Sequence, residues 1–304
     1  MKVTIVGLGL IGGSMAIDLR KTGFATELIG VDLNPHHAQR ALDRGLVDRI
    51  EQEDVAFALA DLIILTIPVN ALVALLPSVL DSVKAKTVVM DVGSTKAQIC
   101  KSIANHSKRS QFVAAHPIAG TENSGPDAAF SGLFGKKTTI VCDHERSSVY
   151  ALGVAQKVFA ALEMNVIYMQ PEEHDKHVAY VSHLSHVSSF LLGQTVLDIE
   201  KDEKNIFTLA GSGFASTVRL AKSSPAMWAP IFEQNMEYLS QALQEYIIHL
   251  QRFQYHLMKR DTKELSRIMT EANHIRRILD GFENPTQEKN LNGTHKATQT
   301  SNTI

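Results

Sequence analysis

An apolar, β-branched run, Lys2-Val3-Thr4-Ile5-Val6, leads straight into Gly7-Leu8-Gly9-Leu10-Ile11-Gly12. A G-x-G-x-x-G turn in that position, with Ala16, Ile17 and Leu19 following at helical spacing, predicts strand, tight turn and helix. A second apolar run, Leu28-Ile29-Gly30-Val31, ends in Asp32, about 20 residues past the third glycine, where a dinucleotide fold places its acidic residue. Gly7 allows the turn, Gly9 lets backbone N–H groups approach a pyrophosphate, and Gly12 lets the helix lie close to the strand. The helix N-terminus then directs its positive dipole end at the phosphates. Asp32 can accept from both ribose hydroxyls and repels a 2′-phosphate, so NAD is expected over NADP. Gly7, Gly9, Leu10, Ile11, Gly12 and Asp32 are the candidate cofactor-binding residues, with Pro68 at the end of a later strand.

Apolar strands are predicted at 2–6, 28–32, 62–67, 87–91, 112–115, 138–142 and 166–169, mostly separated by helices. Continuous apolar strands joined by crossovers predict an α/β fold, a Rossmann-type parallel sheet covered on both faces. The texture changes at Pro171-Glu172-Glu173, a proline and two acids suited to a helix start. Helical patterns then cover 171–199, 225–258 (with a restart at Pro230) and 262–279, ending at Gly281. The expected domains are 1–170, binding NAD, and 171–284, all-helical. Residues 285–304 are polar and aperiodic and are expected to be disordered. The helices carry Phe190, Leu191, Leu192, Ile231, Phe232, Met236, Leu239, Leu243, Ile247 and Ile248. One small helical layer cannot bury so many apolar residues, so a homodimer through this domain is expected. A self-contained bundle is the alternative.

A chain of 304 residues favours two domains, and a net charge of -2 gives no attraction to nucleic acid or an anionic membrane. Leu62 to Leu80 is apolar, but Pro68, Asn70 and Pro77 interrupt it, so no membrane span is expected. Cys100 and Cys142 form no motif and read as reduced thiols of a cytoplasmic protein. No G-x-S-x-G elbow supports hydrolase chemistry.

Three segments carry candidate chemistry. Asp91-Val92-Gly93-Ser94-Thr95-Lys96 follows a strand, so Ser94 and Lys96 are expected near the nicotinamide end of the crevice. Ser94 or Thr95 could equally cap the next helix. His116-Pro117-Ile118-Ala119-Gly120-Thr121-Glu122 follows the strand Phe112-Val113-Ala114-Ala115. A histidine there, beside a Gly-rich polar loop, suits proton transfer at neutral pH. Arg219 lies in a small-residue connection and could grip a carboxylate with two hydrogen bonds, or simply lie on the surface. His183 and His186, like His174 and His177, share a helix face. Without a cysteine cluster or H-E-x-x-H, a metal is not expected, and a core or substrate-facing role is.

Together, the G-x-G-x-x-G turn, Asp91 to Lys96, His116 to Glu122, His183-Leu184-Ser185-His186 and the stretch from Thr217-Val218-Arg219 to Pro225-Ala226-Met227-Trp228 resemble the prephenate dehydrogenase family. The resemblance covers about residues 1–280 of the sequence. It implies hydride transfer from prephenate to NAD+ with loss of CO2. It implies that His116 accepts the hydroxyl proton, that Ser94 orients it and the nicotinamide, and that Arg219 binds a substrate carboxylate. His186, Thr121 and Glu122 would line the pocket, and Trp228 would reach in from a second subunit. Two positions depart from the family pattern: Ser216 replaces a frequent acid and the histidine motif is HLSH. Arogenate dehydrogenase is the alternative within this chemistry, and an NAD-binding redox regulator is the alternative outside it.

Overall fold

The computed structural model describes residues 1–201 and 205–283, so the tail expected over 285–304 lies outside the described residues. By packing, the chain divides into a unit Met1–Ala242 and a second that starts at Leu243. The first unit opens with β1 (Lys2–Val6), α1 (Leu10–Lys21), β2 (Glu27–Val31), α2 (Pro35–Asp43) and β3 (Arg49–Ile50). It continues through α3 (Glu53–Leu59), β4 (Leu62–Leu65), α4 (Val69–Ser82), β5 (Val88–Asp91), α5 (Ala97–Ser102) and β6 (Phe112–Pro117). β7 (Thr138–Cys142), α6 (Val149–Ala161) and β8 (Asn165–Met169) complete its sheet.

Among the described residues, eight strands form one sheet in the order β3-β2-β1-β4-β5-β6-β7-β8. The winding reverses between β1 and β4, the switch point at which such sheets bind nucleotides. Val6 is in register with both Val31 and Leu65, so Gly7, Asp32 and the turn to Pro68 emerge at one edge. One face of the sheet buries Ile5, Ile64, Met90 and Val113 against α1 and α6. The other buries Ile63, Leu65 and Val89 with Leu72 and Leu76 of α4. Trp228 and Ile231 join this second cluster. Each such side chain contributes about 1.5–3 kcal/mol on burial, so the segment carrying them is fixed against the sheet.

The sheet is parallel, as expected, except at one pairing. β7 runs antiparallel to β6, with His116 opposite Ile140, and β8 is parallel to β7. The β6–β7 connection contains a single 3-10 turn, Pro126–Ala128, and no crossover helix, so the chain can return only antiparallel.

Helices follow the sheet: α7 (Pro171–Val178), α8 (Leu184–Glu200), α9 (Ser212–Thr217), α10 (Pro225–Gln234) and α11 (Met236–Met258), then α12 (Thr262–Ala272) and α13 (Ile275–Glu283). A π turn, Ala179–His183, separates α7 from α8, where an unbroken helix was expected. Pro230 sits inside α10 and does not restart it; the break falls at Asn235. No helix among the described residues is long and apolar enough to cross a membrane.

Candidate active site

At the cofactor edge, Gly7 adopts φ +95°, and a Cβ there would lie 2.8 Å from the Thr66 carbonyl oxygen. A Cβ on Gly12 would lie 2.2 Å from the Gly7 carbonyl oxygen, so α1 can approach β1 only with glycine at this position. Gly9, the cap residue of α1, has open space where its Cβ would be. Leu10 and Ile11 follow as the first residues of α1. The Asp32 carboxylate accepts the Leu8 N–H (2.7 Å) and the Asn34 N–H (2.9 Å), which fixes it at the end of β2. Pro68 caps α4 just past β4. A bare glycine at a helix N-terminus with an anchored carboxylate on the next strand fits a dinucleotide.

His116 stands half-buried near the end of β6. Its Nδ1 lies 2.8 Å from Nε2 of His174, and the two rings meet edge to face at 5.0 Å. Nδ1 of the buried His174 lies 2.7 Å from Oδ1 of Asp175. Asp175 accepts the Lys96 N–H at 2.7 Å and the Ala97 N–H at 2.9 Å. It therefore caps α5 from another element, and neither Ser94 nor Thr95 does so. Thr95 Oγ1 instead donates to Gln234 Oε1 at 2.7 Å.

Lys96 does not reach the crevice. It is fully buried, in contact with Asp91 and donating to the Ala115 carbonyl at 2.6 Å. Burial pushes the Asp91 carboxyl up, against the pull of the Lys96 ammonium. Ser94 sits in the turn above this pair, half-buried. Asp91 is in register with Ala114, which brings the ends of the strands bearing Ser94 and His116 side by side. Burial holds His116 well below its ordinary value, and His174, Lys96 and His183 act in the same direction. The imidazole is therefore a free base at neutral pH.

The helices supply the opposite wall. Arg219 donates from Nη1 to Glu122 Oε2 at 2.9 Å, with about half of the arginine side chain exposed (51%). Glu122 is held below the ordinary carboxylate range by its own backbone N–H and by Arg219. Beside it, Thr121 Oγ1 accepts the Asn123 N–H at 3.2 Å. His186 donates from Nδ1 to the Ser182 carbonyl (3.0 Å) and stacks on Trp228 with ring centroids 3.5 Å apart. Trp228 is buried within its own chain. The π turn and the aromatic cluster with Phe232 hold it there. His183 accepts from Asn235 Nδ2 at 3.0 Å, and burial pushes it down to about 4. Asn235 Nδ2 also donates to the Asp175 carbonyl at 2.7 Å.

The structure thus brings His116, His174 and Asp175 together, and separately Arg219 with Glu122 and His186 with Trp228. His174, Asp175 and Asn235 did not stand out in the sequence as parts of one site. The visible signals were the helix face shared by His174 and His177 and the adjacency of a histidine and an acid in the first helix after Pro171.

The comparisons agree with this architecture. Residues 15–168 match the prephenate dehydrogenase nucleotide-binding domain and residues 170–271 the prephenate dehydrogenase dimerization domain. The chain is 30% identical over 286 residues to a prephenate dehydrogenase of Bacillus subtilis, covering 91% of this chain and 76% of that protein. A solved prephenate dehydrogenase from A. aeolicus, in complex with hydroxyphenyl propionate and NAD+, superposes with a TM-score of 0.84 at 30% identity, covering 92% and 98% of the two chains. A Synechocystis arogenate dehydrogenase superposes at 0.71 with 29% identity, covering 92% of this chain and all (100%) of that one. With its glycine turn, its strand-end histidine and both domains matched, the chain belongs to the prephenate dehydrogenase family of NAD-dependent oxidoreductases.

Proposed function

We propose that the chain catalyses the oxidative decarboxylation of prephenate to 4-hydroxyphenylpyruvate in tyrosine biosynthesis. NAD+, when bound, accepts the hydride. The residues of the chain align the substrate and handle its proton. His116 takes the ring hydroxyl proton, with Ser94 orienting both groups. Arg219 binds a substrate carboxylate on leaving Glu122, and Thr121, Glu122, His186 and Trp228 shape the pocket. Loss of CO2 makes the ring aromatic, so the protein need supply alignment and a base more than driving force.

The observation that carries this reading is His116 itself: an imidazole beside the cofactor edge, with one ring nitrogen engaged inward at 2.8 Å. A homodimer is supported by exposed apolar side chains on the helices, among them Val181, Leu191, Leu197 and Leu209. The free, buried thiols of Cys100 and Cys142 support a reducing, cytoplasmic setting. The test is a spectrophotometric assay offering prephenate and arogenate, each with NAD+ and NADP+. Turnover of prephenate with NAD+ is expected. Turnover of arogenate alone would assign the other substrate, and no turnover with any pair would refute the reading.

A further inference from the structure

Resting on the reading of His116 as the base, we infer that Asp175 and His174 form a positioning relay that fixes which nitrogen of His116 is free. Both oxygens of Asp175 already accept backbone N–H groups, from Lys96 and Ala97, so the carboxylate faces His174 as an acceptor too. His174 must then carry its proton on Nδ1, 2.7 Å away. A neutral imidazole has one N–H, so Nε2 of His174 presents a lone pair. His116 Nδ1, 2.8 Å from that lone pair, must be the donor. Nε2 of His116 is left bare, as a base needs. Burial, outweighing the Asp175 carboxylate, holds His174 below the ordinary imidazole range, which agrees with its neutral form.

The other charged and titratable groups facing His116 are Lys96, neutralised by contact with Asp91, and His183, anchored on Asn235. Neither competes for Nδ1. When Nε2 of His116 takes the hydroxyl proton, its Nδ1–H points at a lone pair backed by a carboxylate. The positive charge is thereby stabilised from inside the protein. In turnover the C–H electron pair leaves as hydride for the bound cofactor. The C–CO2 pair stays with the ring as CO2 leaves, and the ring oxygen takes back the proton held by His116.

The tautomers can be read directly by 15N NMR of histidine-labelled protein, with resonances assigned through His116→Asn and His174→Gln. At neutral pH, both His116 and His174 are expected with Nδ1 protonated and Nε2 bare. A proton on His116 Nε2 would overturn the proposal.

Kinetics supply a second arm. In Asp175→Asn the negative charge behind His174 is lost, and an amide nitrogen replaces one of the two oxygens that now accept from Lys96, Ala97 and His174. kcat should fall by roughly 10²–10⁴-fold with NAD+ affinity retained, the scale seen when a triad aspartate becomes asparagine. The same change in a His116→Asn background should cost nothing further, because the residues act as one unit. Additive losses would mean a structural role only. Should Asp175→Asn misfold for want of the α5 cap, His174 variants decide. His174→Gln can still accept from His116 and should retain at least about 10-fold more activity than His174→Phe; equal activities would overturn the relay. A wild-type protein that turns over neither substrate would sink the functional reading and leave the NMR result standing.

Discussion

Asp32, whose carboxylate is anchored by two backbone N–H groups, is expected to set cofactor choice by repelling a 2′-phosphate. Asp32→Ser with Leu33→Arg should shift use from NAD+ towards NADP+; equal wild-type turnover with both cofactors would contradict this. At His116, replacement by asparagine should lower kcat roughly 10²–10⁴-fold and spare NAD+ binding. The sequence placed the acid limb of the pH profile near neutrality. Burial, aided by His174, moves it below the ordinary value of 6.5. Activity should stay level from neutrality upward and fall only on acidification, and a limb at or above 6.5 would remove His116 from proton transfer. Arg219 is half-exposed and already paired with Glu122, so its contact with substrate gains less than a dry bidentate pair. Arg219→Ala should raise KM by about 30-fold, near 2 kcal/mol, with kcat little changed and Arg219→Lys recovering part. A normal KM in the alanine variant would leave Arg219 as a surface residue. His116 was legible because a strand end and a Gly-rich loop frame it locally. Its partner His174 is 58 residues away, and their meeting depends on α7 closing over β6, which no local pattern encodes.

The secondary-structure elements were legible in type more than in detail. Strand positions followed from apolar runs bounded by turns, yet the same runs cannot say whether β7 lies parallel or antiparallel to β6. The π turn was equally hidden, since Ala179-Tyr180-Val181-Ser182-His183 has no helix-breaking residue. Its effect is one of phase. One extra residue in a turn rotates everything beyond it by about 100° relative to a regular helix. His174 therefore faces β6 while His183 meets Asn235 and His186 meets Trp228. Val181 is 77% exposed, so deleting it should remove the turn without opening the core. The variant should keep its circular dichroism spectrum and NAD+ affinity and lose about 10²-fold or more in kcat/KM for prephenate, the scale of a misplaced reacting group. Unchanged activity would make the π turn incidental.

For the molecule as a whole, buried neutral histidines link stability to pH. His183 falls to about 4 in the folded chain from an ordinary 6.5, so the unfolded chain takes up a proton first on acidification. Stability present above 6.5 is lost as the pH falls towards about 4, by roughly 3 kcal/mol for this residue, and His116 and His174 act in the same sense. Melting temperature should drop by several degrees between neutral pH and about pH 5, and His183→Gln should flatten the slope. An equal melting temperature at the two pH values would mean that these imidazoles are not held neutral. The placement of Asp175 also bears on modularity. One carboxylate closes the first turn of α5 beside the cofactor sheet and orders the histidines of a helix that follows it. A chimaera that joined this sheet to the helices of a distant relative would inherit the base and lose its orientation unless the junction residues Lys96 and Ala97 and the pair His174-Asp175 travelled together. Recombination within the family is therefore constrained by four residues more than by the overall likeness of the halves.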